Sequence, residues 1–423
     1  MALIPPALAI TFDVQLTIAI LGIAFLLFSG IIIDLFTLLV FYIYKAFKNI
    51  FLSRKEREEQ AQKIAELTRK YDVSVIIPAY NEEKNIEKTI TNAFNQTHKP
   101  KEVIVIDDCS TDATHNICVS LKKKYPNLNI VRQKTNKGKA YNITYILNKF
   151  NLCEITIVLD ADTFLSENYI EEIVKPLADP RVAISSGKSL PVKSPNKMGK
   201  MIYRGSVFQY RFFCFRKHAQ SLRNAISVVC GDSAAYRTSF LKEMNGFPQG
   251  TQTEDMDISW QALEQGYKVT FSNSANATSQ DANTLKGHWK QISRWYAGGF
   301  QCLAKHKTQL FKAKSLLYTT LVPSYLDSFT YAGMFLASIP LLFFFPTFAI
   351  AFLVADFIFT LIAIIYLDWK GLVHLLEIYF IKIVWSLAWF YAAFKTLYEI
   401  VTGKKSWSGT WNRDFYIKKT GNK

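Results

Sequence analysis

The chain has 423 residues, half of them hydrophobic, and a formal charge of +16 from 50 Lys and Arg against 34 Asp and Glu. That apolar content excludes a disordered chain. The basic excess comes without any nucleic-acid motif, so it reads as a protein lying against an anionic cytoplasmic leaflet, with no nucleic-acid partner. Six cysteines without CxxC or metal-type spacing exclude a zinc module and read as reduced thiols.

In chain order, residues 15 to 44 come first, a nearly unbroken apolar run long enough to span a bilayer. No basic stretch precedes it, so it reads as a permanent membrane helix and not a cleaved signal. Lys45, Lys48, Arg54, Lys55 and Arg57 follow, which places the amino terminus outside and the middle of the chain in the cytosol. Asn-x-Thr triplets at Asn95, Asn142 and Asn276 are then out of reach of glycosylation. The charged stretch RKEREEQAQKIAELTRK predicts a helical linker. Beyond it, short β-rich runs at 73–79, 102–107, 129–133 and 156–160 alternate with helix-length stretches, the pattern of a parallel sheet with right-handed crossovers.

In such sheets ligands bind beyond the carboxyl ends of the strands. Four polar clusters fall there: Tyr80-Asn81-Glu82, Asp107-Asp108, Asn136-Lys137-Gly138-Lys139 and Asp160-Ala161-Asp162. Together they describe a pocket for a nucleoside diphosphate. Asp107 and Asp108 suit hydrogen bonds to base or ribose, Lys139 suits phosphate, and Asp160 with Asp162, side by side by strand alternation, suits Mg²⁺ or Mn²⁺ bridging two phosphates. Each cluster has a plainer reading as a solvated turn, helix cap or basic loop. Four such coincidences at successive strand ends favour the pocket.

Further on, Thr253-Glu254-Asp255 opens a predicted helix ending at Gly266. Asp255 is a candidate general base, with a helix N-cap as its alternative; Asp257 reads as a first-turn helix carboxylate. In LKGHWKQISRWYAGGFQCLAKHK, helical spacing puts Gln291, Arg294 and Trp295 on one face. The same helix suits anchoring at headgroup depth.

SVIIPAYNEE, VIDDCSTD, NKGKA, LDADT, TEDMD and QISRW, in this order, resemble the processive family 2 glycosyltransferases, membrane enzymes that make poly-N-acetylglucosamine, chitin oligosaccharides, hyaluronan and cellulose. The resemblance implies a GT-A α/β fold. It implies that Ala79, Tyr80, Glu82, Asp107, Asp108, Lys139 and Asp160 bind a UDP-sugar, that Asp160 and Asp162 hold the metal, and that Asp255, beside Glu254, is the catalytic carboxylate. Gln291, Arg294 and Trp295 would bind the acceptor end and the pyrophosphate region. Gly231-Asp232-Ser233-Ala234 resembles an acceptor-lining segment.

The implied activity is inverting, processive transfer, with N-acetylglucosamine the favoured sugar, onto a β-linked polysaccharide exported through the membrane. An accessory membrane subunit is compatible with that role. The rival readings are a single-sugar transferase acting on a lipid and a non-catalytic export scaffold; the intact acidic motifs and Arg294 argue against the scaffold. The expected organisation is a membrane helix (1–48), a cytosolic GT-A domain (49–284), an interfacial segment (285–315), a membrane bundle (316–402) and a basic tail (403–423), located in the inner membrane. Three full carboxy-terminal crossings would put the tail outside, whereas the tail resembles a cytosolic one. The stretch 372–400, with His374, Glu377 and Lys382, is the suspected interfacial or re-entrant run.

Overall fold

The structure, a computed structural model, describes residues 29–48 and 54–403. The first half of the predicted amino-terminal span and the tail from 404 onward lie outside the described residues. Helix α1 (Ser29–Lys48) is followed by α2 (Arg54–Arg69), the charged linker. Next come β1 (Val73–Ala79), α3 (Ile86–Phe94), β2 (Glu102–Asp107), α4 (Thr114–Lys122), β3 (Leu128–Arg132), α5 (Lys139–Lys149) and β4 (Ile155–Val158). β3, β2, β1 and β4 lie in that spatial order and are parallel, as the alternation predicts.

The β1 sequence shows why it is interior. Val73, Val75 and Ile77 point into a core shared with α3, α4 and α6 (Tyr169–Val174), while Ile76 points into the opposite core with α5. A strand buried on both faces needs this unbroken apolar run.

Beyond these four strands the sheet becomes mixed. β5 (Thr163–Leu165), β6 (Val182–Pro191), β7 (Ala235–Arg237) and β8 (Lys268–Ser279) complete eight strands in the order β3-β2-β1-β4-β7-β6-β8-β5. β7 runs antiparallel to both β4 and β6. The mixed half brings Asp232, just before β7, beside Asp160, whose N–H donates to the Asp232 carbonyl at 2.8 Å.

Long helices flank this sheet: α7 (Lys197–Leu222), the short α8 (Thr238–Glu243), α9 (Glu254–Glu264) and α10 (Leu285–His306). A single turn, α11 (Lys314–Leu316), passes through a π-helical segment into α12 (Val322–Phe344), then α13 (Pro346–Asp368) and α14 (Leu375–Thr402). Among the described residues, three helical stretches are long and apolar enough to cross a membrane: Ser29–Lys48, Lys314–Phe344 and Ala349–Thr402. The last folds back on itself at the 3₁₀ turn Trp369–His374, and Lys382 Nζ reaches across to Asp356 at 2.9 Å.

α14 lies lengthwise along α7 and α10. Phe213 and Trp295 both meet Trp385, Trp385 donates to His288, and Gln301 donates to Glu399 one helical stretch later. Gly205 lets α7 approach closely, since a Cβ there would collide with the Glu377 carbonyl. The polar residues of the suspected stretch have partners: Glu377 with Arg204 at 3.4 Å and Lys382 with Asp356.

α1 is pinned by charge. Asp34 is fully buried and accepts from Arg216 and Arg223 at 2.6 Å each, while Asp327 accepts from Ser29 Oγ and Gly30 N–H at 2.8 Å. Removing one member of a buried ion network leaves the others unpaired at a cost of about 3–5 kcal/mol. Asp34→Ala should therefore lower the thermal midpoint of the detergent-purified protein clearly more than Asp368→Ala, whose partner Arg211 also bonds the Leu367 carbonyl. Equal midpoints would show that α1 docks by apolar contact alone.

Candidate active site

Two strand ends turn sharply into the cleft: Asn81 after β1 and Cys109 after β2 have φ of 56° and 65°, left-handed values uncommon outside glycine. The Asn81 N–H donates to Ser110 Oγ at 3.0 Å and the Thr111 N–H to Asn81 Oδ1 at 2.8 Å, which locks the two turns together. Tyr80 is left half-exposed at the rim, and Ala79 is buried beneath it, its carbonyl bonded to the Asp108 N–H. Glu82 is buried, and its carboxylate accepts from Asn85, which in turn accepts from Gln280.

Both aspartates after β2 have internal partners. Asp107 is wholly buried, with its carboxylate against the Ser110 N–H at 2.8 Å and against Arg132 and His115 at 3.3 Å, so it does not reach the cleft surface where the sequence places it. Asp108 accepts the backbone N–H groups of Lys137 and Gly138 at 2.8 Å each and so shapes the basic loop. Gly138, at φ 83°, supplies the left-handed turn that starts α5 with Lys139.

Lys139 is the hub. Its ammonium lies 2.7 Å from Asp160, 3.6 Å from Glu254 and 2.6 Å from the Gly231 carbonyl. Burial opposes its charge, but Asp160 and Glu254 outweigh that and raise its pKa. Asp160 and Asp162 do not extend β4. They sit in a turn beyond it, closed by the Thr163 N–H to the Asp160 carbonyl at 3.0 Å, so strand alternation is not what pairs them. Burial first, then Asp160 and Asp232, push the Asp162 carboxyl well above the usual range. Asp232, held by Ser189 Oγ and by Ser233 Oγ at 2.9 Å, is a third carboxylate on this wall that sequence reasoning underweighted; only its neighbours Gly231 and Ser233 hinted at it.

Among the described residues, no group of three or more His, Cys, Asp or Glu is arranged to enclose a metal. The acidic wall suits a divalent ion that takes one or two carboxylates and completes its shell with substrate phosphate and water, as Mg²⁺ does.

On the far side of Lys139, α9 begins at Thr253, which occupies the N-cap position, so Asp255 is a first-turn residue and not the cap. Asp255 accepts the Met256 N–H at 2.9 Å, and its Oδ2 would lie 2.6 Å from a Cβ at position 231, so Gly231 is what admits it to the cleft. Burial, then Glu254, raise its pKa to about 6, against the opposing pull of Lys139, Met256 N–H and Arg294.

α10 closes the cleft: Gly298 is pressed against Thr253, and Arg294 Nη1 donates to the Gln252 carbonyl at 2.8 Å. Gln291 is buried and helps hold Asp281, whose pKa burial raises to about 6. Trp295 faces elsewhere, edge-on to Tyr210 and Trp385 at 6.1 and 6.3 Å between ring centres. A 530 Å³ cavity lined by Lys70, Lys101 and Glu102 lies at the opposite, amino-terminal ends of the strands, away from these groups.

A parallel half-sheet extended by a mixed half, with an acidic turn after β4 and a carboxylate helix facing it, defines a GT-A-type transferase. A solved mannosyltransferase, PcManGT from Pyrobaculum calidifontis in complex with GDP-mannose and Mn²⁺, has this fold at TM-score 0.56 and 22% identity, over 78% of this chain and 89% of that one. Residues 74–244 match the model of Glycosyl transferase family 2. A poly-β-1,6-N-acetyl-D-glucosamine synthase of Staphylococcus epidermidis is 25% identical over 73% of this chain and 72% of its own length. An uncharacterised Escherichia coli glycosyltransferase, YaiP, is 25% identical over 56% of this chain and 59% of its own length. The match over residues 74–244 and the named relatives support glycosyltransferase activity.

As a general base, Asp255 would have to be ionised to take a proton. Transfer per donor bound should therefore rise with pH through about 6 and level off above it, and Glu254→Gln, which removes a neighbouring negative charge, should move that rise to lower pH. Rates measured across pH 5 to 8 check both; a flat profile refutes the assignment.

Proposed function

We propose that the protein transfers a sugar, N-acetylglucosamine by preference, from a UDP-sugar to the end of a growing β-linked polysaccharide and passes the product into the membrane. The carrying observation is the convergence on Lys139 of Asp160 and Glu254, with Asp255 beside them under α10. The relatives named as poly-N-acetylglucosamine synthases support the choice of sugar.

The nucleoside would rest on Tyr80 and the turns that Glu82 and Asp108 brace, and the diphosphate would meet Lys139. Asp255 takes the proton of the acceptor hydroxyl. The acceptor oxygen then bonds the anomeric carbon from the face opposite the phosphate, the carbon–oxygen bond to phosphate breaks, and its electron pair leaves on UDP, inverting the centre. Lys139 and Arg294 offset the charge that accumulates there. A Mg²⁺ or Mn²⁺ held by Asp162 and Asp160 would supply further positive charge to the leaving diphosphate. Glu254 sets the field around Lys139 and Asp255.

The path for the product is supported by α10 lying between this cleft and α14. Hydroxyl-rich polymer crosses hydrocarbon only along protein, because each unpaired polar group there costs several kcal/mol. Trp295, between α7 and α14, is the platform proposed for the outgoing sugar. We place the catalytic domain on the cytosolic face of the inner membrane, with an accessory subunit compatible with the surface left open.

Purified protein in nanodiscs, given each UDP-sugar with Mg²⁺ or Mn²⁺, should release UDP and build long product only with its own donor. A product of one added sugar would defeat processivity. Asp162→Asn and EDTA should each abolish most turnover, and Asp255→Asn should bind donor yet transfer about 10²-fold or more slowly; full activity in EDTA would remove the metal from this reading. Trp295→Ala should shorten polymer while donor binding stays near normal, as read by mass spectrometry beside UDP release. Equal loss of donor binding and elongation would make Trp295 a structural residue.

A further inference from the structure

The buried face of α9 carries ionic contacts that the reaction above does not use. Asp257 is fully buried and accepts from four groups: Lys305 Nζ at 2.7 Å, His306 Nε2 at 2.9 Å, and Thr251 Oγ1 and Gln261 Nε2 at 3.1 Å. The other ring nitrogen of His306 lies 2.9 and 3.0 Å from the two oxygens of Glu264, seven residues along the same helix. Carboxylates at neutral pH only accept, so an imidazole that meets one on each nitrogen must carry both protons. His306 is 4% exposed, with the Trp260 ring edge-on to it at 5.6 Å.

This imidazolium ends α10, the helix that carries Gln291, Arg294 and Trp295, and grips α9, the helix that carries Asp255. Arg294 to the Gln252 carbonyl, and Gly298 against Thr253, join the same two helices near the cleft. α9 is thus fastened at both of its ends to the stretch of α10 from Arg294 to His306.

We propose that His306 is a positioning residue: as a doubly paired imidazolium it fixes the helix of the general base against the helix that holds the acceptor, so that base and acceptor hydroxyl keep one register. The inference rests on the reading of Asp255 as the base. A small misplacement between reacting groups is costly, about 10²-fold for 1 Å.

The charged and titrating groups around the ring are Asp257 and Glu264 on α9 and Lys305 and Cys302 on α10, the last a buried thiol pushed up to about 12. Burial lowers the His306 pKa, but its hydrogen bonds to Asp257 and Glu264 prevail and raise it to about 9. A raised folded value means that the clamp's contribution is complete below the ordinary histidine value of about 6.5 and is lost as pH climbs through about 9.

The test compares wild type, His306→Gln, Glu264→Gln and Asp255→Asn as full-length protein in nanodiscs, reading donor KM, kcat for transfer, product length, melting temperature and pH profile from 7 to 10. His306→Gln should cut kcat between about 10- and 100-fold, with donor KM within about twofold of wild type. Glu264→Gln, a milder change, should move the alkaline fall in rate toward neutral pH, because one of the two carboxylates that hold the proton is gone. The proposal is overturned if His306→Gln keeps normal kcat, if it loses donor binding and transfer in parallel, or if Glu264→Gln leaves the alkaline limb in place. An Asp255→Asn variant with near-normal turnover would overturn it from the other side, by removing the base that the clamp serves.

Discussion

An excess of negative charge around one ammonium is the constraint on which this site is built. Asp160 and Glu254 touch Lys139, Asp162 and Asp232 press on Asp160 from behind, and Asp255 lies within reach of the same field. A diphosphate bound here would add still more negative charge. Among the described residues, Lys139, Arg294 and Lys217 act on this cluster but do not match Asp160, Asp162, Asp232, Glu254 and Asp255 in number, so an anionic donor would gain from entering with a divalent ion. Burial first, and then Glu254, raise the pKa of Asp255 to about 6, a range in which a carboxylate can serve as a base near neutral pH. Changing Glu254 therefore alters both the field at Lys139 and the ionisation of Asp255.

The sheet supplies these charges from three separate connections. The turn after β4 gives Asp160 and Asp162, the segment before β7 gives Asp232, and the start of α9 gives Glu254 and Asp255. Only the antiparallel β7, inserted between β4 and β6, sets Asp232 next to Asp160. The mixed half of the sheet, beyond the four strands predicted as parallel, is thus what completes the acidic wall.

What could be read from the chain follows the range of the interactions. The parallel strands, the helix from Thr253 to Gly266 and the segment with Gln291, Arg294 and Trp295 are local patterns, and the structure has them. The roles of Asp107, Asp108 and Asp257 are not local. Each carboxylate is settled by a partner at least 25 residues away: Arg132 for Asp107, the Lys137 and Gly138 N–H groups for Asp108, His306 for Asp257. An aspartate after a strand looks the same in sequence whether it faces a ligand or a buried arginine. The role of Asp34 within its apolar run was not legible, because its partners Arg216 and Arg223 come 182 and 189 residues later in the chain.

The long apolar helices are continuous with this logic. α14 carries Trp385, which meets Phe213 of α7 and Trp295 of α10 and donates to His288, whose pKa burial lowers to about 4 so that the ring accepts as the neutral form. α1 enters the same assembly through Asp34 and α7, and α12 through Asp327 and the loop of contacts around Ser29. Buried charged side chains are costly unless paired, and here Asp34 ties α1 to α7, Asp327 ties α12 to α1, and Lys382 ties α14 to α13. The three apolar stretches and α7 are therefore cross-linked by polar contacts, and apolar packing alone, which lipid tails satisfy as well as protein does, would not fix that register.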